Sequence, residues 1–391
     1  MPSARSLVGQ RYVGSIVFIS LVISSIFISS DYFVTPFSEI QASEVLVGVE
    51  VAFDNVAEIE LPVDEISPYT DLVVIGSTGI TYDVAKLDEV CQYVVNRGLS
   101  FMIYMHPQDS IAEISVQKQW VTNAKARWGE SFLGLYAFDE PGGRQLDNSE
   151  YRVSYQQADN YTDAARKFTD DLTDTLETWI KGLIDRELPL FTSDYALYWF
   201  DYKAGYDTIF AEFGWNYSRP LNVALCRGAA SVLGKEWGVM ITWTYTQPPF
   251  LESGKRLYND LVYAYENGAK YILVFDTNEN YTHGTLKEEH LAALRDFWEY
   301  AKDNPRTTSQ IDERVAYVLP KDFGYGFRGP NDKIWGQWEA NDLSFKISTE
   351  LGSLIEKYRS NMDIIYDDEL GVKNLKYYSE FVFWNGTDYR P

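Results

Sequence analysis

The stretch LGLYAFDEPGG, residues 133–143, ends an apolar run on two adjacent carboxylates, Asp139 and Glu140, and then breaks it with Pro141, Gly142 and Gly143. A charged group at the end of a buried strand is costly unless it is paired or used. Cleaving a glycosidic bond uses such groups. One carboxylic acid protonates the leaving oxygen, and a second carboxylate attacks or activates water. Nearby negative charge raises the pKa of the acid and keeps it protonated near neutral pH. Glu140 suits the acid, and Glu212, in IFAEFGWN, suits the second carboxylate. Asp139 would tune Glu140 or bind a sugar hydroxyl.

Such residues need a scaffold that brings them together. From residue 44 onward, short apolar runs alternate with longer helical patterns. The runs are 44–53, 71–77, 100–106, 132–140, 189–195, 207–214, 237–245 and 271–277. Continuous apolar strands imply burial on both faces, as in parallel sheets. Eight of them with intervening helices predict an eight-stranded β/α (TIM) barrel over 44–312, with an open doubly wound sheet as the alternative. Beyond it, 313–391 reads as a small α/β unit. In such a barrel the site lies at the carboxyl ends of the strands. There the sequence delivers Glu50 and Asp54, His106, Asp139 and Glu140, Asp194 and Tyr195, Glu212 and Trp215, Trp243 and Tyr245, then Asp276, Asn278 and Glu279. Tyr195, Trp215, Trp243 and Tyr245 would wall a sugar site, with His106, Asp139, Asp194 and Asp276 as further binding groups.

Each residue also has a plainer reading. Asp139 and Glu140 could cap the following turn or pair with Arg144. Glu212 could pair with Arg219 or Arg227. His106 could be a hydrogen-bonded rim residue, and Trp243 and Tyr245 could be barrel packing. A metal site built from Asp54, His106, Asp194 and Asp276 is a weaker option, because one histidine among scattered acids is not a ligand pattern. No CxxC or HExxH spacing occurs, no GxSxG marks a nucleophile elbow, and no phosphate or dinucleotide loop is present. No cofactor is expected.

The bulk numbers agree. Aromatics make up 16% of the 391 residues, with 29 Tyr and 11 Trp, enough to stack on sugar rings. The net charge of −23 argues against nucleic acid, whose backbone is bound by Lys and Arg. Carbohydrate remains the expected partner, and oligomeric state is left open. Residues 13–28, VGSIVFISLVISSIFI, carry no charge and follow Arg5 and Arg11, the pattern of an export signal or a short anchor. Residues 1–43 are therefore read as a targeting segment and the rest as secreted or cell-surface. Sequons at Asn160, Asn216, Asn280 and Asn385 are compatible with an exterior glycoprotein.

The chain resembles the retaining glycoside hydrolase barrels of the superfamily that includes β-galactosidases and cellulases. Those enzymes carry an acid/base Glu followed by Pro at the end of the fourth strand, where DEP stands at 139–141. The resemblance implies an acid/base role for Glu140. It also implies a nucleophilic Glu at the end of the seventh strand, but that run reads MITWTYTQPP, with no acid before Glu252. The small C-terminal unit is similar to the amidotransferase-like domain that follows the barrel in some β-galactosidases. Two expectations follow: a glycoside hydrolase, or a non-catalytic glycan-binding surface protein on a degenerate barrel.

Overall fold

The computed structural model describes residues 45–106, 111–147, 153–154, 156–178, 188–279, 283–306, 314–368 and 378–390. The export run at 13–28 and the sequon at Asn280 lie outside them. Among the described residues no helix is long and apolar enough to cross a membrane.

Eight strands form the barrel: β1 Leu46–Ala52, β2 Leu72–Ile75, β3 Ser100–Met105, β4 Phe132–Ala137, β5 Leu190–Asp194, β6 Thr208–Phe213, β7 Glu236–Ile241 and β8 Tyr271–Glu279. Each pairs in parallel with the next, and β8 closes onto β1 from Leu46↔Tyr271 to Ala52↔Thr277. The strand order is thus the one expected, and Glu212 does lie on the sixth strand. A two-residue strand, β9 His283–Gly284, folds back antiparallel on β8.

Side chains along a strand alternate between two faces. The lumen side holds Leu72, Val74, Met102, Tyr136, Phe191, Phe210, Met240, Tyr271 and Leu273 in one buried cluster. Their rings interlock: Phe210 stacks on Tyr136 at 6.0 Å between centroids and on Phe191 at 5.8 Å. The other face carries Val47, Val49, Val51, Ile209, Ala211, Val239, Ile272 and Val274 against the helices. A register shift where β4 meets β3 skips one residue, at the point where Gly134 takes φ +149°. This bulge turns Tyr136 into the lumen beside Phe191.

The C-terminal unit is a four-stranded sheet in the order β11-β10-β12-β13, from β10 Arg314–Leu319, β11 Met362–Tyr366, β12 Tyr378–Phe383 and β13 Asp388–Tyr389. It packs on the barrel helix Arg219–Leu233. A Cβ on Gly228 of that helix would lie 2.4 Å from the Ile364 carbonyl oxygen, so only glycine permits the approach. Beside it, Arg227 donates to Asp363 at 2.7 Å and to the carbonyls of Ser360 and Met362. Both side chains are buried, and Arg314 and Tyr378 also bind Asp363. An aromatic seam from Phe200 to Trp335 and Tyr366 continues the contact. Cys91 and Cys226 are buried, free thiols.

Removing one partner of a buried, hydrogen-bonded ion pair leaves the other charge stranded, which costs about 3–5 kcal/mol. Arg227→Ala should lower stability by less than that, because Asp363 keeps Arg314 and Tyr378. Urea unfolding should show one transition in the wild type and a C-terminal sheet that melts ahead of the barrel in this variant, because the lost interaction joins them.

Candidate active site

The DEPGG turn is shaped by a residue on the next strand. Asp194, at the end of β5, accepts N–H donors from Gly142 at 2.5 Å, Gly143 at 2.9 Å, Tyr195 at 2.7 Å and Ala196 at 3.0 Å. The first two are the free amides at the start of helix Pro141–Asp147. Side chains here would block the clamp. A Cβ on Gly142 would lie 2.5 Å from the Ala196 carbonyl oxygen, and one on Gly143 would enter the Tyr195 ring. Asp201, also fully buried, lies within hydrogen-bonding reach of Asp194, and no other donor among the described residues reaches it. Burial pushes both carboxyls up, but four N–H donors oppose this at Asp194. The proton of the pair therefore rests on Asp201.

With the turn fixed, Glu140 takes φ +54° and donates its N–H to the Ser193 carbonyl at 3.0 Å. Its carboxyl lies near that of Glu212 and 3.7 Å from Arg144. Glu212 is a lumen-facing residue of β6, in register with Met240. It accepts from the Ser193 hydroxyl at 2.7 Å, while its other oxygen, Oε2, is buried without a donor. Arg219 and Arg227 are not its partners: the first pairs with Asp260 and Glu252, the second with Asp363. Asp139 accepts from the Tyr136 hydroxyl and from Ser193 at 3.1 Å, and lies 4.0 Å from Arg144.

Burial, then the Asp139 charge, pushes the Glu140 carboxyl up to about 8 against the opposing pull of Arg144. Burial, then the charges of Glu140 and Asp139, holds Glu212 well above the usual carboxylate range. Two acids this close cannot both ionise readily, so the pair holds at least one proton near neutral pH.

The other expected residues divide by strand parity. Ser193 faces the lumen, so Asp194 faces the helices. Phe275 faces the lumen, so Asp276 does not; it accepts from Thr285 and from the Leu286 N–H beneath the following loop. Neither lies in the cleft where a sugar-binding role had been expected. Tyr195 is also buried: it stacks on Tyr217 at 5.3 Å and donates to Asp147 at 2.6 Å. His106 sits at the rim, where its backbone N–H and C=O both bond the Tyr82 hydroxyl. Trp215 and Tyr245 line a cavity of ≈ 580 Å³ with residues 244 and 246–249. Trp243 packs on Phe250 and Phe275, and its indole N–H is buried without an acceptor among the described residues. Asn278 and Glu279 have no described side chains. Asp54 binds the Ser77 hydroxyl on the β1–β2 side. After β7 the first acid is Glu252, held by Arg219 and Arg256.

No protein-family model matches the chain, and no curated protein matches it. Solved structures do. A β-galactosidase from the psychrophilic Marinomonas ef1 is similar over 87% of this chain and 72% of its own, at 10% identity and a TM-score of 0.56. The two share the eight-stranded β/α barrel fold. An α-L-fucosidase isoenzyme 2 from Paenibacillus thiaminolyticus also matches, over 83% of this chain at 10% identity and a TM-score of 0.51. The chain spans 58% of that fucosidase's length. Three residues around the candidate site were missed in the sequence: Ser193, Tyr136 and Arg328. Arg328, from the C-terminal unit, lies over the Tyr195 ring at 5.4 Å and binds both Asp147 and Asp332. Strand parity could have revealed Ser193; nothing local marks Arg328.

Carboxyls raised by burial favour the folded state fully below their unfolded pKa, and that contribution fades as pH rises through the folded value. Stability should therefore fall between pH 5 and pH 9, through the value of about 8 at Glu140. Glu212→Gln should flatten this slope and be the more stable protein at pH 9. Denaturant midpoints across that range test it.

Proposed function

We propose that this protein hydrolyses glycosidic bonds outside the cytoplasm, with Glu140 as general acid and Glu212 as the second carboxylate. The observation that carries the reading is the pairing of Glu140 and Glu212 at the carboxyl ends of β4 and β6, where burial and neighbouring negative charge raise both carboxyls. Glu140, raised to about 8, keeps its proton at neutral pH and can give it to a leaving oxygen. Glu212, once ionised, would attack the anomeric carbon or take a proton from the attacking water. Asp139, with Tyr136 and Ser193, fixes the orientation of both. Trp215, Trp243 and Tyr245 supply stacking faces, and His106 the rim. Asp194 and Tyr195 act as positioning residues behind the turn. The charge-free run at 13–28 and the exposed Asn160, Asn216 and Asn385 support an exported or cell-surface location.

A second reading has its own support. Glu140 and Glu212 both stand above the usual carboxylate range, so neither is ready as the ionised partner that hydrolysis needs. The seventh strand also ends without an acid. A barrel that binds glycan without cleaving it would fit both facts.

Aryl glycosides and polysaccharides separate the readings. Loss of general-acid catalysis should slow Glu140→Gln by about 10²–10⁴-fold, with much less loss on substrates whose leaving group needs no proton. The wild-type rate should fall as pH rises through about 8. Glycan binding without turnover on any substrate would sink the hydrolase and leave the binding protein.

A further inference from the structure

One lumen acid takes no part in the chemistry above. Glu50 of β1 is 6% exposed. It is in register with Val74 and Phe275, both lumen-facing, so it lies on the lumen face of the barrel as Glu212 does. Gly76 at the end of β2 makes room for it: a Cβ there would lie 2.5 Å from Glu50 Oε1. Its neighbours across the lumen are Asp139, Tyr104 and Tyr136, whose phenols it helps to hold above their ordinary range. Among the described residues no donor hydrogen-bonds to the Glu50 side chain, and no cation pairs with it. The guanidinium nearest this cluster, Arg144, is taken up by Asp139 and Glu140.

A buried carboxyl without a partner is a cost to the fold. Tyr136, Ser193 and Arg144 give Asp139 and Glu212 their donors, while Glu50 has none among the described residues. We propose that Glu50 is a substrate-binding residue that accepts hydroxyl donors from a neutral sugar ring at the lumen floor. This rests on the carbohydrate reading above and specifies the substrate class. In either protonation state the carboxyl keeps acceptor lone pairs for a hydroxyl. A uronate or sulfated ring would find no unengaged cation beside Glu50 among the described residues, because Arg144 already faces Asp139 and Glu140, and it would meet the Asp139 charge. A neutral ring is therefore the expected ligand.

Binding tests this without relying on turnover. The full chain is titrated calorimetrically with neutral oligosaccharides, their uronate counterparts and their sulfated counterparts, alongside Glu50→Met and Glu50→Gln. Neutral ligands should bind and anionic ones should not. Glu50→Met should weaken binding by about tenfold or more, the loss of one buried hydrogen bond. It should also raise the melting temperature at pH 7, since it removes an unpartnered acid. Glu50→Gln keeps an acceptor oxygen and should retain intermediate affinity; it also carries the test if the Met variant fails to fold. A lower melting temperature with unchanged affinity would make Glu50 structural. Tighter binding of uronates would overturn the substrate class. Neutral binding indifferent to both variants would sink this inference alone, whereas a wild-type protein that binds no saccharide would sink the carbohydrate reading with it.

Discussion

The Asp194 carboxylate is the interaction on which the site depends. Four backbone N–H groups converge on it, two of them from the turn that carries Glu140. An ionised acceptor with several amide donors is among the stronger hydrogen-bonding arrangements available to a protein. It holds the end of β4 against the end of β5 and leaves Glu140 in a left-handed backbone conformation that an isolated chain would avoid. The Pro-Gly-Gly sequence follows from it. Proline opens the short helix, and the two glycines let its amides reach the acid.

Around that anchor, the lumen changes character with depth. Its lower layers are apolar and aromatic, filled by Phe191, Phe210, Tyr271 and their neighbours. Its upper layer is a shell of acids joined by hydroxyls: Ser193 touches both Asp139 and Glu212, and Tyr136 touches both Ser193 and Asp139. The rings below exclude water, which raises the cost of ionising the acids above them. The same packing that stabilises the barrel thus sets the proton occupancy of the site.

The strand order and the barrel were legible because each buried strand is a short apolar run ended by turn residues. Glu140 was legible from the DEP triplet, and Glu212 from an acid ending an otherwise apolar strand. Asp194 and Asp276 share that signal, yet they face the helices. An acid at a strand end has two faces available, and only the parity of its neighbours chooses between them: Ser193 beside Asp194, Phe275 beside Asp276. The bulge at Gly134 adds a further shift that no periodicity reveals. Arg328 was out of reach for another reason, since its partner Asp147 lies far away in the chain and only tertiary packing joins them.

That distant partnership bears on the order in which the molecule is made. Synthesis completes β8 near residue 279, well before the Arg328 loop. The Tyr195–Tyr217 pair therefore lacks its cation until the Arg328 loop has been made. A chain ended after the eighth strand would leave Asp147 without Arg328 and the helix Arg219–Leu233 without the sheet that buries Arg227.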